Sequence, residues 1–161
     1  MTLFRSICEG GKKPVAPGTM GLLIDAKHPA LAAFPPASSC DWQWWDLVTD
    51  SRAAILDATP ATYRPIVQVI DNFERNHKLG VLLEARVGSG RLLICTLDLL
   101  HKQESPVARQ LLHSLLQYAA SSPAPRDALS SETLDAVFKA QPVRKANQDI
   151  SFKEFFDRKE K

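Results

Sequence analysis

The sequence holds no Gly-x-Ser-x-Gly or Gly-x-Cys-x-Gly elbow on which a hydrolase of the nucleophile-elbow type would build its attack. Cysteine is scarce. The three present, Cys8, Cys40 and Cys95, give an odd count without close spacing. That excludes a disulfide framework, and the absence of any Cys-x-x-Cys or His pair excludes a zinc site. Cys95 lies in an apolar run and reads as a small buried hydrophobe. No apolar run is long enough to span a bilayer. The opening "MTLFRSICEGGKKP" lacks the apolar core of a signal peptide. Net charge is only +2, with no block of like charge, so neither a nucleic acid nor a membrane is expected as partner. The histidines, His28, His77, His101 and His113, show no metal-binding spacing, and neither a metal nor a cofactor is expected.

What is present is ordinary globular material. The chain has 161 residues, 45% hydrophobic and 24% charged. A chain of this size buries roughly two thirds of its unfolded surface and forms a core without staples. Residues 1–18 carry Gly10, Gly11, Pro14, Pro17 and Gly18 and read as irregular. "TMGLLID" (19–25) reads as a strand, and Pro29 opens a helical turn that Pro35 and Pro36 close. Ala54 to Leu56 is a short strand.

Residues 65–100 predict a three-strand antiparallel meander. "PIVQVID" (65–71) has β-branched content. "LGVLLEARV" (79–87) alternates, placing Leu79, Val81, Leu83, Ala85 and Val87 on one face and Leu82, Glu84 and Arg86 on the other. "GSG" turns the chain, and "RLLICTLDLL" (91–100), apolar on both faces, reads as the central covered strand. That same glycine pair is no phosphate loop, because a strand rather than a helix follows it. Ser105 then Pro106 is a helix start, with an apolar stripe of Val107, Leu111, Leu112, Leu115, Leu116 and Ala119. "SSETLDAVFKA" (130–140) is a short capped helix with Glu132 and Asp135 near its positive end. The divisions expected are an irregular segment 1–18, an α/β domain 19–120, and a linker, short helix and charged tail 121–161. In the tail, Phe152, Phe155 and Phe156 have two readings: they dock on another surface, or the tail frays.

Three places carry chemistry. "DWQWWD" (41–46) holds every tryptophan, Trp42, Trp44 and Trp45, beside Asp41, Gln43 and Asp46. Indoles stack on sugar faces, but they gain more from burial, so the favoured reading has Trp44 or Trp45 plug a core edge with the acids solvated. "IDNFERNH" (70–77) gathers Asp71, Asn72, Glu74, Arg75, Asn76 and His77 at a strand end. An Asp71–His77 acid–base pair is one reading. The other has Asp71 and Asn72 bonding turn amides and Glu74 pairing with Arg75 or Arg86. His28, before Pro29, reads as a hydrogen-bonded turn residue rather than a ligand.

"GLLIDAKHPALAAFP", then "WQWWDL", then "VQVIDNFERNHKLGVLLEARVGSGRLLICTLDL" together resemble the C-terminal accessory region of bacterial glycoside hydrolase family 2 proteins. These are of the β-galactosidase and β-glucuronidase type, found among Bacteroidetes that degrade plant polysaccharides. The resemblance covers roughly residues 18–138. It implies an α/β, three-layer, flavodoxin-like (class I glutamine amidotransferase-like) domain without the amidotransferase nucleophile, truncated at its N-terminus. The catalytic carboxylates of such enzymes belong to a barrel domain, and no glutamate here matches them.

The resemblance therefore implies a non-catalytic accessory module that packs against other domains of a family 2 glycosidase or against itself, in the periplasm or at the cell surface. A second reading is a carbohydrate-binding module using Trp42, Trp44 and Trp45 with Asp71 and Asn76. A third is a small hydrolase acting through His28, Asp71 or His77.

Overall fold

The computed structural model describes residues 19–37, 41–49, 51–72, 75–121 and 124–139. Residues 1–18, Cys8, Cys40, Glu74 and the three tail phenylalanines lie outside the described residues. The fold is mixed α/β. In chain order it runs β1 (Gly21–Ile24), a 3-10 turn (Pro29–Leu31), α1 (Gln43–Val48), β2 (Ala54–Ile55) and β3 (Val67–Ile70). Then follow β4 (Lys78–Val87), β5 (Gly90–Cys95), α2 (Pro106–Ala120) and α3 (Ser131–Phe138).

The five strands form one open antiparallel sheet, and the expected meander is its β3–β4–β5 portion. β1 pairs with the outer side of β3, Leu22 facing Val69. Leu82 of β4 faces Val67 on one side and Cys95 on the other. β2 lies against Leu79 and Gly80, so β2 and β5 follow one another along the same edge of β4.

Two expectations about the meander are corrected. The central covered strand is β4, buried from Leu79 to Ala85, and not β5. Among the described residues β5 pairs with β4 alone, ends at Cys95, and is half-buried from Leu92 onward. The apolar residues beyond it, Leu97 and Leu99, are buried from a loop rather than from a strand.

The strict alternation along β4 also fails. Val67 pairs with Leu82 but Gln68 pairs with Gly80, so β4 carries one extra residue there, a β-bulge. Val81 and Leu82 consequently both enter the main core, and Glu84 follows on the same face. Leu83 and Ala85 turn to a second cluster with Leu56, Tyr63 and Leu129. The hairpin to β5 closes through Gly88 and Ser89, and Gly88 has φ +56°, the sign that favours glycine at the first loop position.

Gly80 lies where β4 passes beneath the loop after β2. A Cβ there would sit 2.8 Å from Leu56 Cδ1 and 3.1 Å from Pro65 Cβ. Leu56 is fully buried and proline is rigid, so neither yields easily. Gly80→Ala is expected to cost about 1–3 kcal/mol by overpacking, read as a lower denaturant midpoint.

The main core lies between the sheet and one layer made of the 3-10 turn, α1 and α2. α1 forms because Trp44, Leu47 and Val48, spaced i, i+3, i+4, reach one buried side. Its terminal carbonyls are satisfied by Thr49 Oγ1 on Trp45 O and Ser51 Oγ on Leu47 O, both at 2.6 Å. Lys102 Nζ adds a cation at that C-terminus, donating to Asp46 O and Thr49 O.

α2 starts as expected, with Ser105 Oγ accepting from Ala108 N and Pro106 at the first turn. Its buried stripe is rotated from the expected one: Ala108, Leu111, Ser114, Leu115 and Tyr118 face inward, while Leu116 and Ala119 face solvent. The cause is polar. Ser114 Oγ donates to Ala30 O and accepts from Ala33 N, and Tyr118 reaches Glu84.

At the edge of β4 away from β5, the Arg86 amide donates to Asp127 O and its carbonyl accepts from Leu129 N, a parallel bridge to Ala128. That clips residues 127–129 to β4 and leads into α3, capped by Ser130 Oγ. Leu134 and Val137 of α3 pack on the second cluster.

Candidate functional site

The seven residues singled out by sequence fall in three settings. The first is α1. Trp44 is fully buried, its ring edge-on to Phe34 with centroids 5.5 Å apart. Trp42 and Trp45, three residues apart, are 83% and 55% exposed. The tryptophan cluster thus divides into one plug and a two-ring ridge, with Asp46 exposed beside it. Asp41 is held at the helix entrance, where its Oδ2 accepts from Gln43 Nε2.

The second setting joins the β3–β4 connection to the loop after β2. Asp71 Oδ1 takes the Arg75 guanidinium at 2.7 Å and Asn72 N at 2.9 Å, and Oδ2 takes His77 N at 3.1 Å. Burial pushes the Asp71 carboxyl up, but these donors and the Arg75 charge outweigh it and hold the group below its ordinary value. Asn72 Oδ1 accepts from Arg75 N, so both residues bond turn amides. Asn76 occupies the left-handed region, φ +49°, as turn asparagines do.

The His77 ring pairs with Asp57 rather than with Asp71: Nδ1 donates to Asp57 Oδ2 at 2.8 Å, and Asp57 Oδ1 accepts from Lys78 N. The Asp71–His77 side-chain dyad is therefore corrected. Asp71 reaches His77 only through its backbone amide, because the turn points the ring back toward the loop after β2. Lys78 Nζ donates to Thr59 Oγ1 and Pro60 O and lies 5.3 Å above the Tyr63 ring.

The third setting was visible in sequence only through His28. Its Nδ1 accepts from Ala30 N, capping the 3-10 turn, so the proton sits on Nε2, which donates to Glu84 Oε1 at 3.0 Å. Tyr118 Oη donates to Glu84 Oε2, and Tyr63 Oη donates to the Glu84 carbonyl at 2.8 Å. Glu84 thereby joins β4, the turn after β1, α2 and the loop before β3. Beside His28, the signal in the sequence is one carboxylate, Glu84, in the apolar stretch Leu79–Ala85.

Two small clefts flank Glu84. One, of about 100 Å³, is lined by Arg91, Leu93, Tyr118 and Pro125; the other, of about 40 Å³, by Asp25, His28, Arg64 and Arg126. Such volumes hold a few waters or a small ion, not a sugar ring. Among the described residues no group of three or more His, Cys, Asp or Glu side chains is placed to hold a metal. Cys95 is half-buried, and burial pushes its thiol up, away from reactivity.

Tyr63 and Tyr118 are the protein's two tyrosines, and both are buried. Burial raises both pKa values, reinforced at Tyr63 by Asp127 and Glu84 and at Tyr118 by its bond to Glu84. A raised tyrosine pKa means that the native state holds the proton more tightly than the unfolded chain. Stability is then complete below about pH 10 and falls above it by up to about 1.4 kcal/mol per pH unit for each tyrosine. Alkaline titration is expected to give phenolate absorbance that rises together with loss of native circular dichroism, rather than before it.

A family model described as Domain of unknown function (DUF8487) matches residues 3–139. The chain belongs to the DUF8487 family. The DUF8487 match takes in every strand and helix from β1 to the end of α3, including the ridge and both polar networks. No curated protein matches the chain. Among the described residues no helix is long and apolar enough to cross a membrane.

Proposed function

We propose that this domain is a non-catalytic interaction module, docking through the α1 ridge of Trp42 and Trp45 onto a domain of a family 2 glycoside hydrolase. The observation that carries the reading is a contrast. The ionisable side chains expected to act as acid or base, His28, Asp71 and His77, are each buried in internal hydrogen bonds, whereas two tryptophans of one short helix stand in solvent. Exposed indoles on a polar-rimmed surface are the residue type that interfaces concentrate. The partner class comes from the resemblance of residues 18–138 to the accessory region of those enzymes. On that reading the domain is related to the flavodoxin-like, three-layer fold and acts in the periplasm or at the cell surface.

Size-exclusion chromatography with the upstream domains of such an enzyme supplied separately tests this. A complex is expected, weakened at least about tenfold in Kd by Trp42→Ala with Trp45→Ala, as for a central aromatic anchor. Absence of a complex would remove the proposed partner.

The same exposure favours a second reading, stacking on a saccharide by Trp42 and Trp45, with Asn76, exposed in the β3–β4 connection, as the polar candidate that remains. Trp44 and Asp71 leave that candidate set because both are buried and engaged inside the fold. Titration of galactosides and pectic oligosaccharides against tryptophan fluorescence separates the two: saturable quenching lost with Trp42→Ala supports the saccharide, and a flat response excludes it.

A further inference from the structure

We propose that α3 is a latch over the second face of the sheet, one that opens while the rest of the domain stays folded. The inference is independent of the ridge. α3 has eight residues, and none of them is buried; α2, by contrast, buries five. A helix of two turns does not persist in water by itself, so α3 is helical only while docked. Its docking rests on Leu134 and Val137, both half-buried, whereas Phe138 at its end is 66% exposed.

The segment just before it is held quite differently. Asp127 O and Leu129 N are both bonded to the Arg86 backbone, at 2.8 and 2.9 Å, and Leu129 is buried. The change from firm to light attachment falls at Ser130, which has extended backbone and caps α3 through Thr133 N at 3.2 Å.

Beneath the latch lie Leu83, Ala85 and Tyr63. Leu129 and the loop carrying Leu56 stay in place when α3 leaves, and so does the Tyr63 bond to Glu84 O. Opening therefore removes the half-buried packing of Leu134 and Val137 and the Ser130 cap without breaking the main core. Local openings of this kind draw on the low end of a protein's stability range. The device presents apolar sheet surface only in its open state.

Native-state hydrogen exchange on the full chain tests the latch. The α3 amides are expected to be protected about 100-fold less than those of β4 and α2, with an opening that is insensitive to low denaturant. Leu134→Ser with Val137→Ser should bring the α3 amides to unprotected rates while β4 protection changes by less than about tenfold. Equal protection of α3 and β4 in the unsubstituted chain would overturn the proposal, and this comparison needs no variant to fold. An equal loss of protection in β4 and α3 on substitution would overturn it too.

Discussion

Glu84→Ala is expected to destabilise the protein by about 3–5 kcal/mol, while Glu84→Gln costs about 1 kcal/mol. The difference follows from what each substitution leaves behind. Glu84 is 8% exposed, and its two carboxylate oxygens receive one donor each, His28 Nε2–H and the Tyr118 hydroxyl. Alanine removes both acceptors, and two buried donors then face an apolar cavity, each losing its full desolvation compensation. Glutamine keeps an oxygen for His28 and turns its amide nitrogen toward Tyr118. A hydroxyl rotates freely and accepts as readily as it donates.

Glutamine also removes a buried charge, which offsets part of what it loses. Urea denaturation of the three proteins reads the effect as a shift of midpoint at constant slope. Equal destabilisation by alanine and glutamine would mean that the charge, and not the two acceptors, holds the elements together.

The Glu84 network also marks where sequence reading stops. The β4–β5 hairpin, the proline starts of the 3-10 turn and α2, and the Ser130 cap are local. Each rests on residues within four positions, and each is found where the pattern places it. The β-bulge at Val81 is not local in this sense. It depends on the register against β3, which an unbroken apolar run cannot encode, and one extra residue reverses the facing of everything after it. The pattern therefore gives Glu84 a face but not the partners that bury it, His28 and Tyr118, which lie 56 and 34 residues away in the chain.

The stripe of α2 went astray for a related reason. Hydrophobicity favoured Leu116 over Ser114, yet the serine has two backbone partners on the 3-10 turn and the leucine has no such contact to gain. The Asp57–His77 pair, 20 residues apart, carries no spacing signal at all, whereas Asp71, six residues from His77, offers a nearer carboxylate that the ring does not reach. The tryptophans lie between these cases. Helical spacing separates Trp44, with Leu47 and Val48, from Trp42 and Trp45, but only once residues 43–48 are known to be a helix.

Trp44→Ala is expected to cost about 3–5 kcal/mol, whereas Trp42→Ala and Trp45→Ala each change stability by no more than about 0.5 kcal/mol. Trp44 is completely enclosed, and its removal leaves a cavity beside Phe34, Leu47 and the inner side of α2 that a six-residue helix anchored at both ends cannot close. Trp44→Phe is the sharper test. The Trp44 indole nitrogen is buried with no hydrogen-bond acceptor among the described residues, so the wild-type side chain already bears a desolvation cost. Phenylalanine keeps an aromatic ring against Phe34 and discards that N–H, and its net cost is expected to be about 1–2 kcal/mol, below the usual cost of shrinking a core tryptophan. Fluorescence gives an independent readout on the same proteins. With Trp42 and Trp45 both replaced by phenylalanine, the remaining emission should be blue-shifted and resistant to iodide. With only Trp42 retained, it should be red-shifted and readily quenched. Iodide quenching of the Trp44-only protein as strong as that of the Trp42-only protein would mean that α1 does not seat its inner ring in the core, and the ridge proposed as a docking surface would lose the rigid base that holds its two outer rings in place.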